Sequence, residues 1–201
     1  MKHEELEKYC KLIHHISGKE IVEKEEVSNN VVSDYYSKSA FFYKKFHSKE
    51  GAMHLPISFS NKDSHTSKLL YQADSIHNTI QEHGFSKVLE LGCGMGFNST
   101  YLAEKNPNVK FTGVDLTPNN IKEAQNNAKE LSNNTFRQMD LVNLADLEDK
   151  YDIILAVENL FHSHYLVQVI AKISRRLNYY GKIYIYYCYV RFDSVRITYT
   201  F

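Results

Sequence analysis

The chain has no excess of charge of either sign: across 201 residues, Lys plus Arg number 24 and Asp plus Glu number 24. It therefore lacks the basic field that draws a protein to nucleic acid or anionic lipid, and no nucleic-acid partner is expected. No apolar run approaches the ~18 residues a helix needs to cross a bilayer, so no membrane span is expected. Cysteine is scarce. Cys10, Cys93 and Cys188 are odd in number and unevenly spaced, which fits reduced thiols better than a disulfide framework. Met1-Lys2-His3-Glu4-Glu5 leads into no apolar signal region, and the expected location is cytoplasmic. Internal repeats and low-complexity tracts are also missing. His14-His15 and His162-Ser163-His164 have neither helical His-x-x-x-His spacing nor a Cys-x-x-Cys partner, so no metal site is expected.

What is present supports one sizeable core, since 43% of the residues are hydrophobic. The first 85 residues read as a helical extension or lid, and residues 86–201 as the main domain. Leu6, Tyr9, Leu12, Ile13 and Ile16 recur at helical spacing, which predicts an amphipathic helix from Glu4 to Ile16 that stops at Ser17-Gly18. Ser33-Asp34 offers a cap for a second helix carrying Tyr35, Tyr36, Phe41, Phe42, Tyr43 and Phe46, an aromatic load that either packs on the domain or lies over a ligand. Gly51 to Pro56 reads as a loop, and its His54 is either a substrate contact or a solvated residue. From Asp63 to His83, Leu69, Leu70, Ala73, Ile76 and Ile80 predict a helix that Gly84 ends.

The remainder alternates. Val88, Leu89 and Leu91 form a short apolar run suited to a strand buried on both faces, followed by Gly92, Gly94 and Gly96, where the backbone can turn and a ligand can approach closely. Further strands are predicted at Lys110–Val114, Thr135–Met139, Tyr151–Val157 and Lys182–Tyr189. Helices fall between them at about Asn98–Glu104, from Thr117-Pro118 to about Leu131, and at about Tyr165–Leu177. Right-handed crossovers then give a doubly wound α/β fold with a mainly parallel sheet ordered 3-2-1-4-5. Glu90, Asp115, Asp140 and Glu158 stand in or at the ends of successive strands, where open parallel sheets bind ligands. Glu90 would repel a dinucleotide pyrophosphate and suits an ammonium group, and Gly-x-Gly-x-Gly departs from the dinucleotide Gly-x-Gly-x-x-Gly. Both features weigh against a nicotinamide oxidoreductase.

Glu90-Leu91-Gly92-Cys93-Gly94-Met95-Gly96 resembles motif I of class I S-adenosylmethionine (SAM)-dependent methyltransferases, and the resemblance extends over about Ser86 to Tyr189. It implies a Rossmann-like domain that binds SAM through Glu90 and the glycine turn, including Cys93, Gly94 and Gly96. Asp115 would accept from the ribose hydroxyls and Leu116 would pack on the adenine. Asp140 would accept from the adenine amino group, with Leu141 beside it. Gly92 and the backbone near Ala156 and Val157 would hold the methionine amino group. Glu158-Asn159-Leu160-Phe161-His162 is similar to the Glu-x-x-x-His segment of sterol, tocopherol and ubiquinone methyltransferases, which implies a small-molecule acceptor. Glu158 or His162 is then the candidate catalytic base. Their other readings are an ammonium contact for Glu158 and a packed polar residue for His162. The Asn/Asp-Pro-Pro-Tyr segment of nucleic-acid amino-methyltransferases is missing.

Two departures from the family stand out. Asn178-Tyr179-Tyr180-Gly181 replaces the Pro-Gly-Gly turn before the fifth strand, and the chain reaches Phe201 without the family's last helix and two strands. The fifth strand is then close to an edge, which a homo-oligomeric partner or the alternating tail Arg191–Phe201 can cover. A truncated, non-catalytic SAM-binding module acting through association is therefore the alternative to an enzyme.

Overall fold

A computed structural model describes residues 29–49, 51–58, 63–160, 166–187 and 199–200. The helix expected at Glu4–Ile16 lies outside them, as do Cys10 and Cys188. Six strands form one sheet in the order β3-β2-β1-β4-β5-β6. They are β1 Lys87–Leu91, β2 Lys110–Asp115, β3 Asn134–Gln138, β4 Tyr151–Val157, β5 Leu177–Tyr186 and β6 Tyr199–Thr200. The first five run parallel and β6 pairs antiparallel to β5. The strands from 86 onward thus take the expected 3-2-1-4-5 order, with β1 at the centre between β2 and β4.

β1 is central because both of its faces are apolar, and successive side chains of a strand point to opposite faces. Val88 enters one core with Ile76 and Ile80, and with Leu102, Phe111 and Ile153. Leu89 and Leu91 enter the other core with Ile154, Val169 and Ile173. These three β1 residues are at most 1% exposed, and burying each contributes roughly 1.5–3 kcal/mol.

Helices cover both faces. They are α1 Asn29–Phe42, which widens into a π-type turn over Tyr43–His47, α2 His65–His83, α3 Phe97–Lys105, α4 Pro118–Asn127 and α5 Leu166–Arg176. A short 3-10 turn covers Leu141–Asp146. α2 begins at His65, two residues past the expected Asp63, because Ser64 caps it: its side chain accepts from the Ser67 N–H at 3.1 Å. It ends at Gly84, whose φ of 66° gives the left-handed cap expected there. α1 starts earlier than expected, so Ser33-Asp34 lies inside it rather than at its cap; Asn29 to Val32 contain no Gly or Pro to hold the chain out of a helix. α4 stops at Asn127, short of Leu131, and the Asn127 side chain donates to the Met95 carbonyl at 3.0 Å.

The fifth strand departs most from expectation. It begins at Leu177, because Tyr151 stands opposite Leu177 while Ile153 stands opposite Lys182. Residues 178–181 form an excursion within the strand rather than a turn before it, and it leaves Tyr179 90% exposed. β6 covers the outer edge of β5 by pairing Tyr199 with Ile185 and Thr200 with Tyr184. The tail strand expected from Arg191–Phe201 is thus present over its last described residues.

Candidate functional site

The carboxyl ends of β1, β2 and β4 and the loop from Gly51 to His54 line a cleft that opens to solvent. The glycine turn after β1 forms its floor. Gly92 has φ 59°, and a Cβ there would collide with the Asn159 side chain, so only glycine lets these two segments meet. Asn159 uses the space to donate its Nδ2 to the Leu91 carbonyl. Gly96 is the N-cap of α3 at φ 79°, and a Cβ there would run into Phe136 and Ala124. Glycine there allows close packing of helix on strand.

Glu90 is 3% exposed and ties β1 to the start of α3. Its Oε1 accepts from Asn98 Nδ2 at 3.0 Å, and its Oε2 accepts from the Ser99 N–H at 3.1 Å and the Ser99 hydroxyl at 2.5 Å. Burial raises its pKa to about 7, against the pull of these donors. Asp115 ends β2. Its Oδ2 accepts from the Gly94 N–H at 3.0 Å, and its Oδ1 from the Thr117 N–H at 2.8 Å and from Asn120 Nδ2 at 3.3 Å. Burial also moves the Asp115 pKa upward, and the two backbone donors oppose it. Asp140 caps the 3-10 turn, where its Oδ1 accepts from the Val142 N–H at 3.0 Å. A carboxylate has about four acceptor positions, so each of these acids keeps capacity for a ligand.

The opposite wall is built differently. Glu158 follows β4 at φ 51°, the one described non-glycine residue with positive φ, a conformation that costs on the order of 1–3 kcal/mol and clusters at functional sites. Its N–H donates to the Tyr186 carbonyl at 3.0 Å, and its Oε2 accepts from the Leu55 N–H at 3.1 Å. That bond fastens the Gly51–Pro56 loop to the end of the sheet across 103 residues of sequence. His54 is 6% exposed, so the loop histidine is neither solvated nor remote from the cleft. Asn98 Oδ1, Asn120 Oδ1, Glu158 Oε1 and Asn159 Oδ1 are buried side-chain oxygens in the cleft wall without a hydrogen-bond partner among the described residues. Each such acceptor costs about 1–3 kcal/mol until a donor meets it. The cleft therefore suits a ligand rich in N–H and O–H groups.

The structure brings together Glu90, Gly92, Cys93, Gly94, Asp115, Leu116, Asp140, Leu141, Val157 and Glu158 on the cleft wall. Ala156 is 2% exposed within the core beneath, and Gly96 sits behind the turn. His162 lies outside the described residues. The Cys93 thiol is free, and burial raises its pKa well above the usual range, which fits a small packing residue. Sequence reasoning missed Met53, Phe97, Asn98, Asn120 and Asn159, all of which line the cleft. Asn98 could have been found as the second residue after the last motif glycine. Met53 could not, since only the fold brings it to Gly94.

A sequence profile described as Methyltransferase domain matches residues 82–197, more than half of the chain, and the protein belongs to that family. Particular relatives narrow the likeness. The chain is 26% identical over 106 residues to a malonyl-[acyl-carrier protein] O-methyltransferase of Acetivibrio thermocellus, an alignment covering 52% of this chain and 37% of that protein. It is thus similar to a relative of whose length it spans little more than a third. Among solved structures it is similar to the [4+2]-cyclase SpnF, with TM-score 0.70 and 20% identity over 79% of this chain and 59% of that one. It is also similar to the magnesium protoporphyrin IX methyltransferase ChlM from Synechocystis PCC 6803, solved with bound SAH, with TM-score 0.58 and 22% identity over 79% of this chain and 71% of that one. These likenesses establish the Rossmann-like methyltransferase fold. One neighbour is described as a cyclase, so the reaction has to be read from the site. Among the described residues no helix is long and apolar enough to cross a membrane, and no group of acids, His and Cys could hold a metal ion.

Proposed function

We propose that the cleft binds SAM and that the protein transfers its methyl group to a small-molecule acceptor. The observation that carries this reading is the set of four unpartnered oxygens, Asn98 Oδ1, Asn120 Oδ1, Glu158 Oε1 and Asn159 Oδ1, beside the acids Glu90, Asp115 and Asp140. SAM offers what such a wall lacks: an ammonium group, an adenine amino group and two ribose hydroxyls. Asp115 would take the ribose, Asp140 the adenine amino group with Leu116 and Leu141 on the ring faces, and Glu90, Gly92 and the β4 backbone at Ala156 and Val157 the methionine end. Gly94 and Cys93 shape the turn between them. When bound, SAM supplies an electrophilic methyl group for in-line displacement by a nucleophilic atom of the acceptor.

The protein's own part is to orient, desolvate and hold charge. Charge disperses during such a transfer, so positioning and exclusion of water can contribute up to about 7–11 kcal/mol in favourable intramolecular models. Met53 and Phe97 add apolar surface to the cleft wall. Glu158 has one oxygen engaged with the loop and the other open, which favours its reading as a held negative charge facing the ammonium or sulfonium over that of a mobile base. His162, the other base candidate, is adjacent in sequence to this wall. In this reading residues 1–85 contribute a lid and 86–201 the SAM-binding core, with α2 packed into that core through Ala73, Ile76 and Ile80. Balanced charge supports a small metabolite as acceptor rather than nucleic acid.

Incubation with methyl-labelled SAM and cell extract, followed by mass spectrometry, tests the proposal. A labelled small-molecule product is expected. Saturable SAM binding with no labelled product would instead support the non-catalytic module, and absence of binding would overturn both.

A further inference from the structure

Accepting the methyl-transfer reading, we infer that His54 is the general base for an acceptor that carries its proton on a neutral hydroxyl, of the phenol or enol type. The ring is placed with unusual care for a loop residue. Its own carbonyl accepts from His47 Nε2 at 2.8 Å, and the following N–H, that of Leu55, donates to Glu158. Both sides of the residue are therefore fixed, and the ring packs edge-on to Phe97 with centroids 5.8 Å apart. His54 Nδ1 stands 3.3 Å from the Leu55 carbonyl, the partner that a neutral imidazole meets by carrying its proton on Nδ1. Nε2 is then the nitrogen with the lone pair. It is buried in the cleft wall, and no group among the described residues meets it in full hydrogen-bond geometry, while the Asn98 side chain lies close enough to the ring to favour its protonated form.

The groups around the ring make it neutral at rest and able to accept a proton. Burial is the largest influence and lowers its pKa below the usual 6.5, with the neighbouring His47 acting the same way. The Leu55 carbonyl, the Glu158 carboxylate and the Asn98 side chain favour the protonated ring. Asn98 is itself held through its Nδ2 by Glu90, which links the base to the floor of the cofactor side. A base of this kind has its lone pair available at neutral pH and has its cation stabilised once formed.

The proton balance is simple. The acceptor O–H proton passes to Nε2 as the oxygen bonds to the methyl carbon; the carbon–sulfur bond breaks with its electron pair remaining on sulfur. The imidazolium then returns its proton to water. A carboxylate acceptor would need no such base, and an ammonium acceptor would find its partner in Glu158 instead. The apolar Phe97 ring packed on His54 favours the uncharged hydroxyl.

The test has one readout that needs no cofactor. Imidazole ¹⁵N spectra of the whole chain, with His54 assigned by its loss in His54→Gln, should show Nε2 unprotonated at pH 7 and titrating below 6.5, and p-cresol should shift that resonance. A proton on Nε2 at pH 7, or no response to p-cresol, would overturn the inference. In parallel, labelled methyl transfer to a panel of simple phenols and amines is followed across pH. His54→Gln should retain SAM affinity, lose about 10²- to 10⁴-fold in rate on the phenols and lose the acidic limb of the pH profile. SAM binding with full phenol methylation by His54→Gln, or methylation of amines alone, would overturn the role of His54 and leave the methyltransferase reading standing. Failure of the unmutated protein to bind SAM would remove the methyltransferase reading itself, whatever the spectra show.

Discussion

The two walls of the cleft are held by opposite means. On the side of β1 and β2, Glu90 and Asp115 each accept three hydrogen bonds from the protein, two of Asp115's from backbone N–H groups. Both walls keep buried side-chain oxygens without a partner among the described residues, Asn98 and Asn120 Oδ1 on the first and Glu158 Oε1 and Asn159 Oδ1 on the side of β4, but only on the second is one of them a carboxylate oxygen, and there Glu158 holds a left-handed backbone. The first wall is preorganised, its geometry fixed before any ligand arrives, and suits a ligand that is always the same. The second holds polar groups in reserve, and suits a reacting partner whose charge and protonation change.

Breaking the first wall should have the larger effects. Glu90 has its pKa raised from 4.5 to about 7, so the folded state binds its proton more tightly than the unfolded chain does. Its stabilising contribution is present in full below pH 4.5 and lost as the pH rises through 7, a swing of up to ~3 kcal/mol. Urea unfolding at pH 5 and pH 8 should show this decline in the wild type and a flatter dependence in Glu90→Gln. SAM binding should strengthen over the same rise in pH, because an ammonium group beside Glu90 favours its ionised form.

Next in size is Gly92→Ala. The left-handed backbone costs an alanine roughly 1–2 kcal/mol and the new Cβ must displace Asn159, so SAM affinity is expected to fall about 100-fold or more. Calorimetric titration checks it, with a thermal melt to show that the fold remains. Asp115→Ala should weaken SAM binding by about 1.5–3 kcal/mol, the range for a hydrogen bond to a charged group.

The smallest effect sharpens the comparison most. Glu158→Gln keeps an oxygen for the Leu55 N–H but removes the charge, and is expected to cost about 0.5–1.5 kcal/mol of SAM affinity with little change in rate at saturating SAM. A rate collapse with unchanged affinity would make Glu158 itself the base and remove His54 from that role.

The difference between the walls also explains what could be read from sequence. Strand order, the glycine turn and the cleft positions of Glu90, Asp115, Asp140 and Glu158 were legible, because strand ends in a parallel sheet face one crevice whatever surrounds them. Glu90's second function was not: its tie to Asn98 and Ser99 depends on how α3 leaves the glycine turn. The loop reading at Gly51–Pro56 was correct, but periodicity carries no signal for a loop, and nothing local joins His54 to Glu158. The Leu55 bond that joins them is a tertiary contact. The early start of α1 and the excursion at residues 178–181 were missed for a related reason, since capping and turn residues mark boundaries only where the surrounding backbone permits them.

The central claim is that this cleft holds SAM against the preorganised wall, and calorimetric titration of the unmutated protein with SAM, set beside Asp115→Ala, tests it most directly. Saturable binding of one SAM per chain, weakened about 10- to 150-fold by the substitution, is the predicted result. No saturable binding, or the same affinity in both proteins, would contradict it.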